Sequence, residues 1–176
     1  MSNIDEIIQL KIKPMEIQAK LVEAVIQKTI SIQDFIKYFE SAPKVTKGIC
    51  ADVMEQVSKQ DPHILAPYIS ILILYINYDL PKVKWGIPEA IGNMAKNYPE
   101  QVTAAIPDLL KNTTNEKINT TVIKWCAAFA LIEIAKYNLR ARNQLIPAFN
   151  QLIQSEENNG VKNMYVKAMK KMEQHK

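Results

Sequence analysis

Imidazole and thiol chemistry in this 176-residue chain would have to be assembled from His63, His175, Cys50 and Cys126, which are its only histidines and cysteines. A nucleophile needs a base within hydrogen-bond reach, and zinc needs ligands in close pairs. The two cysteines lie 76 positions apart with no CxxC and no nearby histidine pair. Both sit among apolar neighbours and read as buried, reduced thiols that act as small hydrophobes. His63 follows Pro62 and reads as a polar residue in the first turn of a helix. Gly48, Gly86 and Gly92 fall inside helical stretches rather than in a phosphate-cradling loop, and Gly160 ends a helix or opens a loop. The expectation is therefore no catalytic residue, no metal and no cofactor.

Cations are the remaining candidates. Lys84 and Lys124 each precede a tryptophan, Trp85 and Trp125, and the stretch YNLRARNQ carries both arginines, Arg140 and Arg142. These four could contact an anion or a nucleic acid, since guanidinium binds phosphate bidentately and tryptophan stacks on bases. Two arginines two apart point to different sides of a helix and read as a solvated pair. The two lysines are expected to reach a backbone carbonyl of a neighbouring unit, or water.

The totals agree with a soluble binding module rather than a polyanion glove. There are 22 basic and 18 acidic side chains, for a net charge of +4, and lysine supplies all but two of the basic ones. Glycine occurs four times, too rarely for a sandwich full of tight turns. MSNIDEIIQL has no basic segment followed by an apolar core, so no signal peptide is expected and the location is taken as cytoplasmic. The richest apolar run, ILAPYISILILYI at 64–76, falls short of the roughly 20 residues of a membrane span.

The elements that position these residues show themselves as a period. VKWGIPEAIG at 83–92 and IKWCAAFALI at 123–132 place the two tryptophans 40 residues apart. Ile87 then matches Ala127, Ala90-Ile91 matches Ala130-Leu131, and Met94 matches Ile134. A step of 38 back from Val83 reaches Val45, with Gly48 under Gly86, Ile49 under Ile87 and Val53 under Ile91. A step of 38 forward from Ile123 reaches Val161-Lys162, and a weaker first copy carries Ala24-Val25. Pro67, Pro107 and Pro147 are also 40 apart, in APYISIL, IPDLLKN and IPAFNQL, and each should begin or kink a second helix. In register with them, Leu65, Ile69, Leu72 and Ile73 form a buried stripe that continues in Ala105, Leu109 and Leu110, then in Leu145, Phe149, Leu152 and Ile153.

A Val-Lys pair, small residues, an Ala-hydrophobe pair and a proline-started second helix together resemble the HEAT repeat, most closely in VKWGIPEAIG and YPEQVTAAIPDLL. The resemblance covers residues 14 to 174 and implies an all-α, right-handed α-α superhelix of about four and a half helix-pair repeats. Their expected bounds are 14–42, 43–80, 81–117, 118–157 and a terminal cap at 158–176, in one domain over 1–176. Lys84, Lys124 and Lys162 stand where the family often has arginine, and no Asp/Arg ladder between repeats is evident. In this register Trp85 and Trp125 are one position of successive units, where a large side chain can cover the seam with the preceding unit.

One helix departs from its neighbours. Beyond its core stripe it carries a second apolar stripe, Ile64, Tyr68, Ile71 and Tyr75, where the next unit has Ala104, Asp108, Lys111 and Asn115. Two readings fit: either the N-terminal extension or Phe35, Tyr38 and Phe39 cover the stripe, or it is a patch for a protein or peptide partner on the inner face. The expected function is a non-catalytic protein-binding scaffold without a membrane partner. The alternative is nucleic-acid binding, resembling the HEAT-like DNA glycosylases of alkylated bases.

Overall fold

The computed structural model describes residues 3–174, which hold helices and turns and no strand. Ten α-helices follow one another: α1 (Asn3–Ile8), α2 (Pro14–Ile26), α3 (Ile32–Ser41), α4 (Lys44–Gln60), α5 (Ile69–Leu74), α6 (Pro81–Met94), α7 (Ile106–Lys111), α8 (Thr121–Tyr137), α9 (Leu139–Ser155) and α10 (Asn159–Gln174). Short 3₁₀ turns at Ala66–Tyr68 and Gln101–Ala105 lead into α5 and α7. No described helix is long and apolar enough to cross a membrane.

Local chemistry sets the boundaries. Ser31, Thr120 and Asn138 place a side-chain oxygen on the free amides that open α3, α8 and α9, from Asp34, Ile123 and Ala141 respectively. Pro14 and Pro81 stand in the first turn of α2 and α6, where no amide donor is needed. Lys28 ends α2 at φ 61°, and the Ile30 amide returns to the Ala24 carbonyl at 3.1 Å. The three expected prolines divide. Pro67 and Pro107 lead into second helices, whereas Pro147 lies inside α9. As a result the second helices α5 and α7 are six residues each and α9 is 17.

The long helices α2, α4, α6, α8 and α10 pack each against the next, while α3, α5 and α7 lie against the long helix that follows them and α9 lies against α8 and α10. The paired columns predicted from the sequence form the centre. Val83, Ile87, Ala90, Ile91, Met94, Ala127, Ala130, Leu131 and Ile134 are inaccessible to solvent, and the second-helix stripe is buried at Leu65, Ile69, Leu72, Ala105, Leu109, Leu145 and Phe149. Small residues bring the long helices close. A β-carbon on Gly86 would meet the Ala51 carbonyl oxygen at 2.6 Å, and one on Gly92 would meet the Phe129 ring at 2.7 Å.

The register of α4 differs from expectation by one residue. Val45 was matched with the buried Val83, yet it is 80 % exposed. Burial along α4 superimposes on α6 at a spacing of 37, which places Lys47 in line with Lys84 and Lys124. The physical reason lies in how the two helices begin: Pro43 precedes the first turn of α4 whereas Pro81 occupies that of α6.

Candidate functional site

The nucleophiles are held in their unreactive forms. Cys50 is fully buried, and burial pushes its thiol up to about 12, against the opposing pull of Lys47. Burial likewise raises the Cys126 thiol, and its Sγ sits 3.1 Å from Oε1 of Glu89, which favours the protonated form further. His63 lies in the turn after α4 rather than in a helix, with its amide on Asp61 and its Nδ1 2.6 Å from the Tyr98 hydroxyl. His175 is outside the described residues. Among the described residues no group of three His, Cys, Asp or Glu could hold a metal ion.

Three of the four cations singled out in the sequence are turned inward. Lys84 is 6 % exposed and Lys124 8 %. The Lys124 ammonium lies 2.7 Å from Glu156, whose carboxylate is buried, and 3.1 Å from Oδ1 of Asn115. Arg142, expected to be solvated, donates through Nε to the Ala135 carbonyl at 3.0 Å and through Nη2 to that of Lys136 at 3.1 Å, closing the end of α8. Arg140, on another side of α9, is exposed.

The cation that reaches backbone carbonyls of the preceding helix is Lys47. Its ammonium donates to the Phe39 and Glu40 carbonyls in the last turn of α3, and the rings of Phe39, Tyr75 and Tyr78 surround it at 4.7, 5.2 and 5.4 Å. Burial lowers the Lys47 pKa, with Cys50 and Glu40 acting in the opposite direction. Its signal in the sequence was the spacing of 37 to Lys84.

The second apolar stripe is half-buried throughout. Ile64, Tyr68, Ile71 and Tyr75 all pack against the core while keeping part of their surface open. Phe39 meets the Tyr75 ring edge-on at 4.6 Å, and Tyr38 is drawn away to donate to Asp5 of α1 at 2.7 Å. Ile64 opens into a groove of about 430 Å³ with Val25, Ile32 and His63. Beside the stripe is a residue that the sequence did not single out: Leu74, three positions after Ile71, is 78 % exposed.

On the long helices a polar cluster joins α4, α6 and α8. Lys59 pairs with Glu55 on its own helix and lies 3.8 Å from Glu89 on α6, which accepts from Cys126 on α8. Burial, then the neighbouring Glu55, hold the Glu89 carboxyl above the ordinary carboxylate range, while Cys126 and Lys59 pull it down. Trp85 is half-buried, and its indole N–H is enclosed without a partner among the described residues. Trp125 is 43 % exposed and stacks parallel on Phe129 at 6.0 Å.

No known family profile matches the chain, and no curated protein or solved structure does either.

Proposed function

We propose that the chain is a HEAT-like α-solenoid, a right-handed superhelix of about four and a half helix pairs, that serves as a non-catalytic protein-binding scaffold in the cytoplasm. The packing of each long helix on the next supports the solenoid, because repeats that contact only their neighbours extend one continuous surface. The observation that carries the binding reading is Leu74. A leucine 78 % exposed, beside half-buried Ile71, Tyr68 and Tyr75, gives the second helices an apolar strip. Such a strip supplies the anchors that protein interfaces use. Both cysteines are free and buried, as they would be in a reducing compartment.

The nucleic-acid reading has less support, because Lys124 and Arg142 are committed to internal acceptors and Lys84 is buried. The scaffold reading is tested with Leu74→Thr, which copies Thr114 of the next unit, alone and with Ile71→Lys. Partners are quantified by affinity capture and mass spectrometry against wild type, with thermal melting in parallel. The reading predicts the loss of a defined partner set at an unchanged melting temperature for Leu74→Thr. Identical partner sets from folded variants would overturn it.

A further inference from the structure

The open side of the long helices repeats the same positions, and α8 fills them with different chemistry. At the Val122 position α6 carries Lys82 and α4 the exposed Val45; at the Phe129 position they carry Glu89 and Asp52, and at the Ile132 position Gly92 and Glu55. The charged positions on α4 and α6 are used, since Lys82 pairs with Asp52 at 3.0 Å and Lys59 approaches Glu89. On α8 no charge interrupts the ridge of Val122, Trp125, Phe129 and Ile132. Val122 is 47 % exposed, Trp125 43 %, and the other two are half-buried. Their spacing of three, four and three residues is the seam that one helix offers another, and it runs about 15 Å along the helix.

What lies beside the ridge states the chemistry of its partner. On the α6 side a groove of about 430 Å³ has Phe129 in its wall together with Lys59 and Lys96. On the α10 side a smaller groove of about 130 Å³ joins Ile132 and Met172 to Lys136, Arg142 and Lys171. Of the cations in these walls, Lys59 is held by Glu55 and Arg142 by the carbonyls at the end of α8, which leaves Lys96 on one border and Lys136 and Lys171 on the other. Glu133 is the one carboxylate among the lining residues, and it is already paired with Lys136 at 3.4 Å. An apolar seam between two cationic borders is complementary to a helix with an apolar stripe and carboxylates on both flanks.

We propose that the outer ridge of α8, centred on Trp125 and Phe129, is a docking site for an acidic amphipathic helix of a partner protein, separate from the apolar strip on the second helices. The helix lies along α8, its stripe on Trp125, Phe129 and Ile132 and its carboxylates toward Lys96 on one side and Lys136 and Lys171 on the other.

The probe is a fluorescently labelled synthetic helix of about 18 residues with leucines spaced three, four and three apart and glutamates flanking them. Its sibling carries lysine in place of every glutamate, and both are titrated against the full chain by anisotropy. The glutamate peptide should bind at least about tenfold tighter than the lysine peptide, and salt should weaken it. Trp125→Gln, and separately Lys136→Glu with Lys171→Glu, should each weaken it about tenfold with the helical circular dichroism unchanged. Should Trp125→Gln fail to fold, Val122→Lys, which copies Lys82, gives the same readout. The proposal is overturned if neither peptide binds, if the two bind equally, or if binding survives these changes. Association with anionic phospholipid vesicles, or with a second copy of the chain, in place of the glutamate peptide would also overturn it.

Discussion

Two glycines on adjacent long helices should respond to the same substitution with opposite sign. In an unconstrained helix, Gly→Ala gains about 0.5–1 kcal/mol, because glycine gives up more backbone freedom on folding. At Gly86 the new methyl would stand 2.6 Å from the carbonyl oxygen of Ala51 and 2.8 Å from its carbon. Those are backbone atoms in the middle of α4, and they yield only if the two helices separate. Overpacking of this kind costs typically about 1–3 kcal/mol, which outweighs the propensity gain. At Gly48 the methyl would instead meet the Lys82 side chain at 3.0 and 3.2 Å. That side chain is half-exposed, and its pairing with Asp52 is a surface ion pair of about 0–1 kcal/mol. It can swing aside.

The expected outcome is therefore a net loss of about 1–2 kcal/mol for Gly86→Ala and a change between zero and a gain of about 1 kcal/mol for Gly48→Ala. In urea, with a slope of about 2 kcal/mol/M, the Gly86 variant should unfold about 0.5–1 M earlier. Its melting temperature should fall by about 2–8 °C for a chain of this size. The Gly48 variant should unfold at the wild-type midpoint or later. Equal and favourable shifts for both would refute the close α4–α6 crossing, and with it the packing of one unit on the next.

Ala130→Arg places an unpaired charge where no solvent reaches, directly beneath Gly92, and should abolish cooperative thermal unfolding seen by circular dichroism. Lys124→Met leaves the buried Glu156 carboxylate without its cation and should cost about 3–5 kcal/mol in urea unfolding, whereas Lys124→Met with Glu156→Gln should recover most of that loss. Glu89→Gln should raise the melting temperature at neutral pH. The native carboxyl titrates above its ordinary 4.5, so wild type loses stability as pH rises through that window; the advantage of glutamine should be full at pH 7–8 and fade below about pH 4.5, as parallel melts would show.

The parts of the molecule legible in the sequence are those governed by local rules. Two Lys-Trp pairs 40 apart set α6 against α8 with one burial pattern, because two helices that start 40 residues apart repeat the same faces. The α4 copy misled by one residue. Gly48 and Val45 resemble Gly86 and Val83 in type, but side-chain type does not report which neighbour a residue meets, and α4 begins one residue later relative to its proline. Lys47 went unnoticed for the same reason, although its burial follows once the shift is made. The second apolar stripe was legible as a composition anomaly. Cover by Phe39 was one of two readings the sequence left open, and composition could not choose between them, because Phe39 reaches Tyr75 from α3 across 36 residues of chain. Leu74 belonged to neither stripe, and a six-residue helix is too short for its periodicity to predict an exposed leucine.

The lysine column explains why a chain of net charge +4 presents less positive surface than its composition suggests. A helix ends with carbonyls that lack partners, and a cation brought to them satisfies both the hydrogen bonds and the negative end of the dipole. Lys47, at the start of α4, does this for α3, the helix that precedes it; Arg142, at the start of α9, does it for α8. Lys124 solves a related problem with a carboxylate, holding Glu156 at the end of α9 against Asn115 in the segment that leads into α8. In each case a side chain from the first turns of one helix fastens the end of another. Such cations are consumed in joining units, and their burial would make release to a phosphate backbone costly. The far ends of the long helices keep their lysines exposed. Lys59, Lys96 and Lys136 fall on one repeating position, and α8 alone of the three supplies apolar surface beside its lysine. The same repeat that internalises lysine at one end of each helix displays it at the other, and the recognition chemistry should be sought at that displayed end.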